Sequence, residues 1–200
     1  MVSVCLVKDG QELLIATSKG RANRFKSDVI RQMGRVATGV RGITLDGDDD
    51  YVVGMLCVSK PEEETALVVS SKGYGKRSLV SDYRETNRGT KGVKTMNLTE
   101  KTGDLIAFLR VTDDQDLMII NKSGITIRLH VSNISQQGRV TQGVKLIELQ
   151  KRKDVIASVC AVPAEEDEDN DNVNENDNVN ENENTNETNT PNVNTNTPNE

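Results

Sequence analysis

Apolar positions along this chain come in short runs that alternate with polar ones, and none extends into a stripe of helical period. The run Leu13-Leu14-Ile15-Ala16-Thr17-Ser18-Lys19-Gly20 returns as Ala66-Leu67-Val68-Val69-Ser70-Ser71-Lys72-Gly73. It returns again as Leu117-Met118-Ile119-Ile120-Asn121-Lys122-Ser123-Gly124. Nineteen residues after each closing glycine stands another: Gly39, Gly92 and Gly143. Each is followed by Val, a basic residue and an alternating run, and an apolar run closes each unit at Val52–Val58, Leu105–Val111 and Val155–Ala161. β-Branched enrichment, period-two alternation and Gly, Asp and Asn punctuation predict short strands throughout.

The units repeat at 53 and then 51 residues, as approximately 13–58, 66–111 and 117–162. Each predicts about four strands, so the expected fold is all-β: three four-stranded blades of a propeller-like array over 1–162. The Ser-Lys-Gly element suits a tight hairpin in which glycine supplies the positive φ. Residues 1–7 mirror 156–162, which predicts the last strand of a preceding blade and a chain that begins within a repeat.

Composition changes abruptly at Pro163. Residues 163–200 hold 12 of the 31 acidic residues and 14 Asn, with no Lys or Arg. Such a segment buries too little apolar surface to offset chain entropy, so a disordered acidic tail is expected. The body keeps all 25 basic residues against 19 acidic ones, a net charge of +6 beside a tail of −12. A basic body with an acidic tail points toward nucleic acid. No apolar run is long enough for a membrane-spanning helix and no leader pattern opens the chain, so a cytoplasmic location is expected. Cys5, Cys57 and Cys160 fall in apolar runs without metal-ligand spacing and are read as buried thiols.

Three basic registers persist through the repeats: Arg24, Arg77 and Arg128; Arg35, Arg88 and Arg139; and Arg41, Lys94 and Lys145. A solvated face needs charge, but not at the same place in every repeat. Arrayed along a rim, these residues and Lys91 would form a positive belt suited to the phosphates of curved duplex DNA. Two Phe, three Tyr and no Trp are too few for single-strand stacking platforms.

Other candidate chemistry is weaker. Gly73-Tyr74-Gly75-Lys76-Arg77 lacks the earlier Gly and the following Ser or Thr of a phosphate loop. The Asp46–Asp50 cluster lacks the ligand spacing of a calcium loop and reads as a turn. His130 has no nucleophile suggested beside it, and Tyr51, Tyr74 and Tyr83 have no acid–base or metal partners. No catalytic residue, metal ligand or cofactor site is expected in this chain.

The elements Gly138-Arg139-Val140-Thr141-Gln142-Gly143-Val144-Lys145-Leu146-Ile147 and Gly34-Arg35-Val36-Ala37-Thr38-Gly39-Val40-Arg41-Gly42-Ile43 resemble the repeat signature of the DNA gyrase A C-terminal domain. The resemblance covers 1–162. It implies a β-pinwheel, a six-bladed relative of the propeller, that wraps duplex DNA and supports ATP-dependent negative supercoiling. It also implies two partners, the gyrase B subunit plus a second A subunit, in a nucleoid-associated setting, with ATP and magnesium used by other regions. Arg35, Arg88 and Arg139 fall where the family places basic residues on its DNA-binding rim. The family's first-blade box, Gln-Arg-Arg-Gly-Gly-Lys-Gly, is absent, and Asn87-Arg88-Gly89-Thr90-Lys91-Gly92 is a weak version in its own blade. The alternatives are a topoisomerase IV C-terminal domain and a protein-interaction propeller. Kelch and WD repeats call for aromatics that are missing here.

Overall fold

The computed structural model describes residues 1–149 and 154–164; the expected tail beyond them lies outside the described residues. Eleven strands occur among the described residues, in three antiparallel sheets. The first contains β1 (Glu12–Thr17), β2 (Arg21–Lys26) and β3 (Val52–Val58). The second contains β4 (Thr65–Ser70), β5 (Tyr74–Leu79) and β7 (Leu105–Val111). The third contains β8 (Gln115–Asn121), β9 (Thr126–His130) and β11 (Ile156–Pro163). Within each sheet the first two strands form a hairpin and the third returns antiparallel to the first. At the hairpin turns Gly20, Gly73 and Gly124 take φ of 73°, 88° and 87°, as expected.

The fourth strand is where the structure departs from the expected blade. The two-residue strand β6 (Val93–Lys94) belongs by sequence to the second repeat but pairs with β2 of the first sheet. Likewise β10 (Val144–Lys145), from the third repeat, pairs with β5 of the second sheet. Each of these repeats therefore donates its outer strand to the sheet before it. Among the described residues the third sheet has three strands. The matching run Val40-Arg41 forms no strand, and residues 1–7 also pair with none.

Glycine permits the exchange. A Cβ on Gly92 would stand 2.2 Å from the Ala22 carbonyl oxygen, and one on Gly143 would stand 2.6 Å from that of Gly75. Both residues have positive φ. Only a bare backbone fits both the conformation and the approach.

Two apolar clusters fill the spaces between successive sheets. Leu14, Leu56, Val58, Val68, Tyr83, Met96, Leu105 and Phe108 join the first sheet to the second. Leu67, Val69, Val111, Leu117, Ile119, Val131, Ile134 and Ile156 join the second to the third. Their burial is the main favourable term holding the sheets together. The closing strands β3 and β7 pack closely enough that a Cβ on Gly54 would meet the Phe108 carbonyl at 2.7 Å. The exchanged strands occupy the opposite edges. The cysteines correct the sequence reading: Cys5 and Cys57 are half-buried and Cys160 is exposed. Among the described residues no helix is long and apolar enough to cross a membrane.

Candidate nucleic-acid interface

The exchanged strand carries a loop with it. In the second repeat, Glu85 bridges in parallel to Arg24 of β2, and the Thr86 N–H donates to the Arg24 carbonyl at 2.8 Å. In the third, Gln136 bridges to Arg77 of β5, and the Gln137 N–H donates to the Arg77 carbonyl at 2.8 Å. The segments 83–94 and 134–145 are thus laid along the second strand of the preceding sheet. They bring Arg88, Lys91, Lys94, Arg139 and Lys145 to its outer edge.

The three basic registers separate here. Arg24 pairs with Glu12 and donates from Nη1 to the Tyr83 carbonyl at 2.8 Å; its side chain is 12% exposed. Arg77 pairs with Asp113 and donates from Nε to the Ile134 carbonyl at 2.7 Å; its side chain is 10% exposed. Arg128 pairs with Asp116, which also bonds to His130 Nδ1 at 2.6 Å. Arg24 and Arg77 therefore clamp the turn that begins the next repeat's loop. Their guanidinium groups are committed to protein oxygens, so this register stands apart from the expected surface belt.

The other two registers come together as neighbours from adjacent repeats. Arg88 Nη1 donates to the carbonyl of Arg41 at 2.7 Å. Arg139 Nη1 donates to the carbonyl of Lys94, and its Nε to that of Asp82 at 3.3 Å. Each loop arginine is thereby fixed beside the basic residue of the repeat before it. Arg41, Lys94 and Lys145 are exposed, while Arg88 and Arg139 are half-buried. The buried Nε of Arg88 has no hydrogen-bond partner among the described residues. Arg35 is exposed, on a stretch that no sheet among the described residues supports.

Carboxylates temper part of this edge. Lys91 pairs with Asp46 at 2.8 Å, and that hydrogen bond holds the Asp46 carboxyl below its ordinary range. Lys145 pairs with Glu148 at 2.7 Å, which pushes the lysine up. A polyanion would compete with both acids for their lysines. Arg41, Arg88, Lys94 and Arg139 instead bond to backbone carbonyls or an amide, or present their charge directly.

Sequence reasoning missed the groups that hold the loops down. Asn23, fully buried on β2, donates to the Gly42 carbonyl at 3.0 Å and the Asn87 carbonyl at 3.2 Å. Its Oδ1 accepts from the hydroxyls of Thr86 and Thr90. Lys76, in the matching position on β5 and in the discounted phosphate-loop motif, donates to the Gly138 and Arg139 carbonyls at 2.6 Å each. Tyr83 anchors the first loop from below: it is fully buried, hydrogen-bonded to Thr95, and pushed up to about 12 by burial. The signal available was an acidic residue two positions off across the hairpin, Glu12 for Arg24 and Asp116 for Arg128, which marks that arginine register as internally paired. The aspartate cluster also has a structural role. Asp50, 4% exposed, accepts from the Ser18 hydroxyl at 2.8 Å and the Asp46 N–H at 2.9 Å.

A family model described as "DNA gyrase C-terminal domain, beta-propeller" matches residues 11–59, 64–112 and 115–162, the three repeats in turn. The A subunit of DNA gyrase from Staphylococcus aureus strain MRSA252 is 45% identical over 149 residues. That match covers 74% of this chain and 17% of the relative, so the chain corresponds to a small part of the relative's length. A solved DNA gyrase A C-terminal domain superposes with a TM-score of 0.69 at 28% identity, covering 78% of this chain and 52% of that one. The C-terminal domain of DNA topoisomerase IV gives the same TM-score at 22% identity, covering 76% and 47%, a likeness of fold.

Proposed function

This chain belongs to the family of DNA gyrase C-terminal domains, and we propose that its three-sheet body binds duplex DNA by the phosphates along the edge built from exchanged loops. The observation that carries this reading is the pairing of basic registers from adjacent repeats, Arg88 beside Arg41 and Arg139 beside Lys94. One basic pair per sheet junction is a repeating array, and a repeating array fits a repeating polyanion. Backbone contacts of this kind position a duplex without reading its bases. The contact set is Arg35, Arg41, Arg88, Lys91, Lys94, Arg139 and Lys145, with Arg24, Arg77 and Arg128 assigned to holding the fold.

Within the longer protein the proposed role is DNA wrapping in support of ATP-dependent supercoiling by a gyrase holoenzyme, in which the B subunit plus a second A subunit would be the partners. Catalysis, ATP and magnesium belong to other regions on this reading, and the setting is the cytoplasm at the nucleoid.

The test is charge reversal. Arg35, Arg88 and Arg139 changed together to Glu should weaken duplex binding by more than about tenfold at low salt. Reversal of Lys8, Lys60 and Lys122, exposed and outside the three registers, should change it far less. Equal losses from the two triples would mean that net charge alone explains binding, and would remove the assigned edge.

A further inference from the structure

Lys76 is the only lysine with no exposure among the described residues. Burying an ammonium is costly unless its charge is matched. Here no carboxylate among the described residues forms an ion pair with it; its hydrogen-bond partners are the carbonyls of Gly138 and Arg139. In the first sheet the same register holds Asn23, a neutral amide that secures the equivalent loop through two donated hydrogen bonds. A neutral donor therefore suffices to hold a loop, and the charge on Lys76 requires a further reason.

We infer that Lys76 is a positioning residue for duplex binding: its ammonium holds the Gly138–Arg139 turn against β5, and a phosphate at Arg139 favours the charged form of Lys76. This rests on the proposed phosphate-binding edge. The charged groups facing Lys76 are Arg139 from the loop and Asp82 from the turn after β5. On its own strand Arg77 is paired with Asp113, and Tyr83, beside the same Arg139 and Asp82, stays neutral. Burial first, and then repulsion from Arg139, bring Lys76 down to about 8. A phosphate seated on Arg139 offsets that repulsion, so Lys76 holds its proton more tightly in the complex. Duplex binding then takes up a proton in mildly alkaline solution, and affinity falls as pH rises through about 8. Deprotonation also replaces two charge-assisted hydrogen bonds by weaker neutral ones, which loosens the turn in the same direction.

The test compares the whole chain with Lys76→Gln and Lys76→Met variants, titrating random-sequence duplex DNA at constant ionic strength from about pH 7 to about pH 9.5. Amide exchange of residues 137–143 is followed without DNA. Gln donates two hydrogen bonds at every pH, as Asn23 does. It should keep loop protection, bind roughly threefold more weakly than the unmodified chain at neutral pH, as the deprotonated lysine does, and show no further alkaline loss. The unmodified chain should lose roughly threefold in affinity, the effect of about half a unit of pKa coupling. Met should bind more weakly throughout and exchange faster in the loop. A Met variant that fails to fold leaves the decision to Gln. Coincident pH profiles for the unmodified and Gln chains, with duplex binding intact, would overturn the role of Lys76 alone. Failure of the unmodified chain to bind duplex would overturn the phosphate-binding edge, and the role of Lys76 with it.

Discussion

Arg24 and Arg88 belong to registers that recur at the same interval, yet one is locked to Glu12 and backbone carbonyls while the other lies at the rim beside Arg41. Sequence showed that both registers matter, because each survives three repeats. Burial separates them, and burial depends on which strand the next loop crosses. Arg24→Ala and Arg77→Ala should each cost about 1–3 kcal/mol in urea unfolding, since they strand carbonyls and a carboxylate. Arg35→Ala should stay within about 0.5 kcal/mol, as an exposed side chain does. Equal costs would place the first register at the surface after all. Lys76 gives a second expectation at this scale. Its pKa falls from 10.5 to about 8 on folding, so the unfolded chain binds more protons between those values. Lys76 should thus contribute stability that rises from about pH 8 to about pH 10.5, and Lys76→Gln should remove that rise in urea midpoints.

The strands themselves were legible: hairpins, closing strands and turn glycines sit where the repeats predict them. The destination of the fourth strand was not. Periodicity places Val93-Lys94 in a strand but cannot say whether that strand joins β5 or β2, because both edges offer the same ladder. The glycine before it carries the answer in its contacts. Gly92 and Gly143 lie against backbone of the preceding sheet, whereas a Cβ on Gly39 meets nothing within 4 Å. Gly92→Ala and Gly143→Ala should therefore each destabilise by about 1–3 kcal/mol more than Gly39→Ala, which bears only the positive-φ penalty. Uniform losses from all three, by urea or thermal unfolding, would mean that backbone conformation alone governs these sites.

At the scale of the molecule, the exchange makes each basic pair a property of a junction between repeats. A single isolated repeat would carry the registers without assembling them. Residues 163–200 carry −12 and the rest of the chain +6, and we propose that the acidic charge weakens duplex binding. Removing the residues after Pro163 should raise duplex affinity at low salt, with the gain shrinking near 0.15 M, where exposed charges are screened beyond about 8 Å. Equal affinities at low salt would leave the tail no such role. The proposed rim and the proposed effect of residues 163–200 both rest on sequence-independent phosphate binding, which salt dependence measures directly. If about four rim residues contact phosphates, log Kobs should fall against log salt with a slope of roughly −3.5, for duplexes of unrelated sequence alike. A flat salt response, or binding confined to one sequence, would contradict it.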